Sequence, residues 1–118
     1  MTSNAHAQNE DRREIETAPE TTLEIVTFRL SDTAETEEFL TAARETEAML
    51  RASGALIRRF LTVDSHGLWT DVIEWSSHEA ALATAKAVMT DPSFTPFMTM
   101  IDPSSANMRH ARVLWRMD

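Results

Sequence analysis

The sequence predicts an α+β domain of order β-α-β-β-α-β, in which two helices cover one face of a four-stranded antiparallel sheet. Three observations carry that expectation. Two apolar, β-branched runs, 56–63 and 68–75, flank Asp64-Ser65-His66-Gly67, a cluster of turn formers that marks a hairpin. An Ala-rich segment follows directly on Trp75-Ser76-Ser77, and its small side chains let a helix lie close to a sheet. At 118 residues without cysteine, the chain has the length of one domain and no disulfide framework to replace a core.

Taken in order, residues 1–22 are polar and mixed in charge, with Ile15 as the one large buriable side chain. Such a segment cannot offset its ordering entropy and is expected to be a disordered tail before a domain at 23–118. Residues 23–30, LEIVTFRL, make the first strand. Ser31, Asp32 and Thr33 offer N-cap oxygens to a helix running to about Ser53, with Glu35, Glu37 and Glu38 at its positive end. Phe39, Leu40, Ala43, Met49 and Leu50 form its apolar stripe, and Gly54 suits a left-handed C-terminal cap. After the hairpin, Ser76 and Glu79 match a capping box for a helix bearing Ala80, Ala81, Ala83, Ala85 and Ala87. Asp91-Pro92 ends it, residues 93–101 form a further helical turn, and residues 108–116 make the last strand. The order is the ferredoxin-like split βαβ unit.

Composition excludes several classes. A net charge of −8 argues against binding a phosphate backbone, so no nucleic-acid partner is expected. No apolar stretch approaches the roughly 20 residues that span a bilayer, and residues 1–22 lack an apolar signal core, so a cytoplasmic protein without a membrane partner is expected. His66, His78 and His110 show no short metal-ligand spacing; no metal and no cofactor are expected.

A four-residue hairpin loop at 64–67 pairs Val63 with Leu68 and puts Leu56, Arg58, Phe60 and Thr62 on one face with Trp69, Asp71, Ile73 and Trp75. The other face then holds Ile57, Arg59, Leu61, Val63, Leu68, Thr70, Val72 and Glu74, with Arg59 in reach of Glu74. Neither face is plainly solvated, yet two helices cover only one. A second copy, packed sheet on sheet about a two-fold axis, is the economical cover.

Glu74-Trp75-Ser76-Ser77 closing the third strand, His78-Glu79-Ala80-Ala81 opening the second helix and Asp91-Pro92-Ser93-Phe94 closing it resemble the dimeric α/β-barrel superfamily. Within it, the chain resembles the antibiotic-biosynthesis-monooxygenase-like domains over residues 23–115. The resemblance implies a ferredoxin-like fold paired into a dimeric α/β barrel. Activities in the superfamily include cofactor-independent oxygenation of polyketide quinones, haem degradation and stress-related roles. The haem-degrading pattern, an Asn on strand 1 with a helix-borne Trp and a His shortly beyond it, has no match here.

Trp69, Asp71 and Trp75, with Arg58 and Phe60 across the hairpin, make a candidate aromatic pocket that would stack a flat ligand and hydrogen-bond a phenol. The competing reading makes the tryptophans packing residues and pairs Asp71 with Arg58. His110, the one histidine in a regular element, and Asp71 are the candidate catalytic bases. Arg109, Arg112 and Arg116 make the last strand locally basic. Phe94, Phe97, Met98, Met100 and Ile101 read as core or as an adaptable lid. The expected function is that of a homodimeric, cofactor-independent monooxygenase or related enzyme for a small aromatic substrate. The alternative is a non-catalytic small-molecule-binding or stress-related dimer.

Overall fold

The structure, a computed structural model, describes residues 20–118. Strand β1 is Thr22–Phe28, helices α1 and α2 are Thr36–Glu45 and Glu47–Ala52, and β2 is Leu56–Val63. Then come β3, Trp69–Trp75, α3, His78–Val88, a 3-10 turn at Pro92–Phe94, α4, Thr95–Thr99, a second 3-10 turn at Pro103–Ser105, and β4, Asn107–Arg112. The sheet runs β2-β3-β1-β4 with every neighbour antiparallel, the ferredoxin-like arrangement expected from the sequence. No helix among the described residues is long and apolar enough to cross a membrane.

The expected tail at 1–22 lies, for residues 1–19, outside the described residues. At its end Thr21 and Thr22 are buried, and Thr21 Oγ1 donates to Glu74 Oε2 at 2.6 Å. Strand β1 thus starts one residue before Leu23, where the sequence suggests its start.

The first helix differs from expectation at its start and its middle. Ser31 N donates to Met100 O at 2.8 Å and Leu30 bridges Ile101, so this stretch is tied to the approach to β4 and helix α1 opens only at Thr36, without a side-chain cap. At Thr46, fully buried, Oγ1 turns back on Ala43 O at 2.6 Å. A hydroxyl bonded to the preceding turn competes with the helical ladder, and α1 and α2 separate there. The cap of α3 is Ser77, whose Oγ accepts from Ala80 N at 3.0 Å; Ser76 instead donates its backbone N–H to Ala55 O. Strand β4 stops at Arg112 instead of Arg116, and Val113 N donates to Thr21 O at 2.9 Å.

The hairpin decides which side chains meet. Its loop has five residues, 64–68, not four: Asp64 Oδ1 accepts from His66 N at 2.8 Å and Leu68 N at 2.9 Å, while Gly67 takes φ +81°. One added loop residue slips the register by one and inverts the faces of β2. Val63 pairs with Trp69, Leu61 with Asp71 and Arg59 with Ile73, and an irregularity between Leu56 and Arg58 restores Leu56 opposite Trp75. Arg59 and Leu61, not Arg58, Phe60 and Thr62, thus share the helix-covered face with Trp69, Asp71, Ile73 and Trp75. Strand β1 adds Glu24, Val26 and Phe28 to that face, and β4 adds Met108 and His110.

The core lies between this face and the helices. Trp69, Phe28, Phe39 and Phe97 form its aromatic cluster, with Phe39 edge-on to Trp69 at 4.9 Å between ring centroids and stacked on Phe97 at 4.8 Å. Such contacts add specificity to the large area that each ring removes from water.

Candidate functional site

Next to this cluster the core opens into a cavity of about 270 Å³ between the sheet and helices α3 and α4. Helix α3 turns Ala81, Thr84, Ala85 and Val88 inward at helical spacing, and its small side chains leave room above Ile73 and Trp75. Phe94, Phe97, Met98 and Ile101 close the far side, where the sequence suggested either core or lid. Phe94 and Phe97 are buried and Met98 is half exposed, so the segment serves as wall at one end and rim at the other. Charged groups reach the cavity from three strands: Glu24 on β1, Arg59 on β2 and Asp71 on β3.

Arg59 and Asp71 neutralise each other. Arg59 Nε donates to Asp71 Oδ1 at 2.9 Å and Nη2 to Oδ2 at 2.7 Å, a two-pronged pair with both side chains largely buried. Arg59 Nη1 also donates to Thr46 Oγ1 at 2.9 Å, and the guanidinium lies 5.3 Å from the Phe97 ring centroid. The break in the first helix thus presents the hydroxyl that completes the Arg59 site. The expected partner of Asp71, Arg58, is on the other face, with Nε 3.2 Å from Glu74 Oε1. The inverted hairpin faces account for that exchange.

Glu24 is the second carboxylate. It is 8% exposed, accepts a hydrogen bond on Oε1 from Trp75 Nε1 at 3.3 Å, and lies 3.6 Å from His110 Nε2. Burial pushes its carboxyl above the usual range; His110 and the Trp75 hydrogen bond act against that, and the charge of Asp71 reinforces it. His110 Nε2 is itself buried without a hydrogen-bond partner among the described residues, and the His110 ring meets His78 edge to face at 5.3 Å. A buried carboxyl whose pKa is raised and which lies next to an imidazole can take and return a proton.

Of the residues singled out from sequence, Asp71, Trp75 and His110 gather around Glu24 and the cavity. Trp69 is 5% exposed and packs in the aromatic cluster beside it. Arg58 and Phe60 are on the opposite face, where Phe60 is 56% exposed. Arg109 and Arg112 are exposed, and Arg116 turns back to bond Glu74. Glu24 was missed, although LEIVTF carries its signal: an acid in phase with Val26 and Phe28 on the strand's buried side. Among the described residues, no three or more His, Cys, Asp or Glu side chains are grouped to hold a metal ion.

No protein-family model and no curated protein matches the sequence. Solved structures do match. SnoaB, a cofactor-independent oxygenase from Streptomyces nogalater, is 16% identical, with 84% of this chain and 96% of that chain covered at a TM-score of 0.57. A candidate antibiotic biosynthesis monooxygenase from Bordetella bronchiseptica is 9% identical, with 81% and 99% covered at 0.68. A dimeric ferredoxin-like protein of unknown function from Thermobifida fusca is 11% identical, with 81% and 93% covered at 0.62. The chain therefore shares its ferredoxin-like fold with these proteins.

Proposed function

We propose that this protein is a homodimeric enzyme that oxidises a small, electron-rich aromatic substrate with dioxygen, without a cofactor. The observation that carries the reading is Glu24, a buried carboxyl with a raised pKa at the wall of an apolar cavity. Glu24 acts as the base and takes the acidic proton of a phenol. The resulting phenolate is the reductant and dioxygen the oxidant; one oxygen atom becomes the new quinone carbonyl and the other leaves as water. The protein contributes a positioned base, apolar walls that exclude water, and a fixed polar end at Arg59 and Asp71. Asp71 holds Arg59 as a positioning residue, Trp75 is both wall and hydrogen-bond donor to the base, and His110 stands behind Glu24. A cavity of about 270 Å³ lies just below the range of roughly 300–1,000 Å³ that holds drug-sized ligands, which favours a one- or two-ring substrate. The likeness to a cofactor-independent oxygenase and to a dimeric protein supports the reaction class and the homodimer.

The test is oxygen uptake and quinone formation with a dihydroxynaphthalene, in the wild type and in Glu24→Gln. Turnover that falls on the order of a hundredfold in the variant, with ligand affinity kept, supports the reading. Tight binding without turnover in the wild type would make the protein a carrier or sensor, and no binding at all would remove the cavity as a site.

A further inference from the structure

We propose that His110 and His78 form a proton route that connects the Glu24 carboxyl to solvent. This rests on Glu24 being the base of the proposed reaction. Glu24 must be a carboxylate when substrate arrives, and a carboxyl buried at the cavity wall needs a path by which its proton reaches solvent before each turnover.

Glu24 and His110 are direct partners across β1 and β4, so both side chains project from the same face of the sheet. Oε1 and Nε2 are 3.6 Å apart, a few tenths of an ångström beyond hydrogen-bond length, and the buried Nε2 has no other partner among the described residues. The His110 ring also meets, edge to face at 5.3 Å between centroids, the ring of His78, which is exposed in the first turn of α3. A line of three titratable side chains thus runs from the cavity wall to the surface.

The remaining charged and polar groups fix the direction. Trp75 Nε1 holds Glu24 Oε1 from β3, the charge of Asp71 acts on Glu24 from the same strand, and Arg59 on β2 is committed to Asp71 and Thr46. Asp71 is held as a carboxylate by both prongs of Arg59, which leaves His110 as the neighbour placed to accept a proton from Glu24. In the first step the Glu24 O–H gives its proton to Nε2 of a neutral His110 that carries its own proton on Nδ1. In the second, Nδ1 of the imidazolium gives a proton to His78 or to water beside it, and the Glu24 carboxylate is restored.

Side-chain NMR titration of the labelled, substrate-free full chain tests the route independently of catalysis. The Glu24 midpoint is expected to rise in His110→Gln, because the neighbouring imidazole acts to lower it. Exchange of the His110 ring N–H with water is expected to slow roughly tenfold in His78→Ala, an exposed position where folding is preserved. An unmoved Glu24 midpoint in His110→Gln, or unchanged exchange in His78→Ala, overturns the route whether or not the protein is an oxygenase. If dihydroxynaphthalene is oxidised, His110→Gln should lower kcat about tenfold at constant KM, with recovery in imidazole buffer. Full activity without buffer recovery would overturn the route and leave Glu24 as the base; absent turnover alongside a raised Glu24 midpoint in His110→Gln and His78-dependent exchange would retain the route and discard the oxygenase reading.

Discussion

Arg59 grips Asp71 through two parallel hydrogen bonds of 2.9 and 2.7 Å across the β2–β3 hairpin, inside the layer between sheet and helices. Their side chains are 13% and 7% exposed, so this is a buried pair whose partners are costly to separate. Removal of one partner leaves an unpaired charge. Arg59→Met and Asp71→Leu should each destabilise the domain by about 3–5 kcal/mol, whereas the double variant should lose far less than the sum. Arg59→Lys keeps the charge but not the planar fork and should still lose stability. Urea unfolding of the four proteins decides; additive losses would mean the pair is not the unit it looks to be.

Glu24 gives stability a pH dependence of the opposite sign to that of an ordinary salt-bridged acid. Its folded pKa is raised above the reference of 4.5, so below that pH both states are protonated and the group has no cost. As pH rises from 4.5 through the folded pKa, the unfolded chain ionises first and the native state loses stability. Glu24→Gln should therefore be more stable than the wild type at neutral pH, with the gap closing towards pH 4.5. Thermal unfolding across pH measures it, and a gap that widens on acidification would contradict the assignment. A more stable but inactive variant is the pattern of a site that trades stability for chemistry.

The fold was legible because its signals are local. β-Branched and aromatic residues in 23–30, turn formers at 64–67 and small residues after Trp75 each specify an element from neighbours in sequence, and all six main elements appear in the expected order. The site was legible only in part, because its composition hangs on register. Leu68, an apolar residue, belongs to the loop, where its N–H is held by Asp64, and that single residue sends Phe60 and Arg58 to the other face. Thr46 shows the same limit for helices: its hydroxyl breaks the helix and serves Arg59, thirteen residues away, which no helical periodicity reveals. Glu24 was the converse case, readable from its phase on β1 but passed over because a strand acid is commonly solvated.

Asp64 should set the hairpin register through its two backbone acceptor bonds, from His66 N and Leu68 N. Those bonds hold its carboxyl below the ordinary value of 3.8, so its contribution is complete above that pH and fades as the pH falls through the lower folded value. Asp64→Ala should lower the unfolding temperature at neutral pH and differ least from the wild type in acid. Gly67→Ala, at φ +81°, should cost about 1–2 kcal/mol in the same assay. A pH-independent difference for Asp64→Ala would show that the carboxylate does not carry the turn.

Phe60 tests the remaining surface of the sheet. Leu23, Phe60 and Val72 gather there with Trp115 and Met117 of the C-terminal segment, and Phe60, Trp115 and Met117 are 56%, 77% and 81% exposed. Glu74, held under the same segment by Thr21, Arg58 and Arg116, supplies a buried polar anchor that fixes the segment against the sheet. Rings and thioethers exposed together on one face suit a second copy of the chain. Phe60→Asp should weaken self-association by roughly thirtyfold or more, the effect of a central interface residue worth about 2 kcal/mol. Ala83→Asp, on the solvent side of α3, should leave it unchanged. Light scattering across a dilution series reads both; a wild type that is monomeric throughout, or a Phe60→Asp protein as dimeric as the wild type, would rule this face out as the dimer interface.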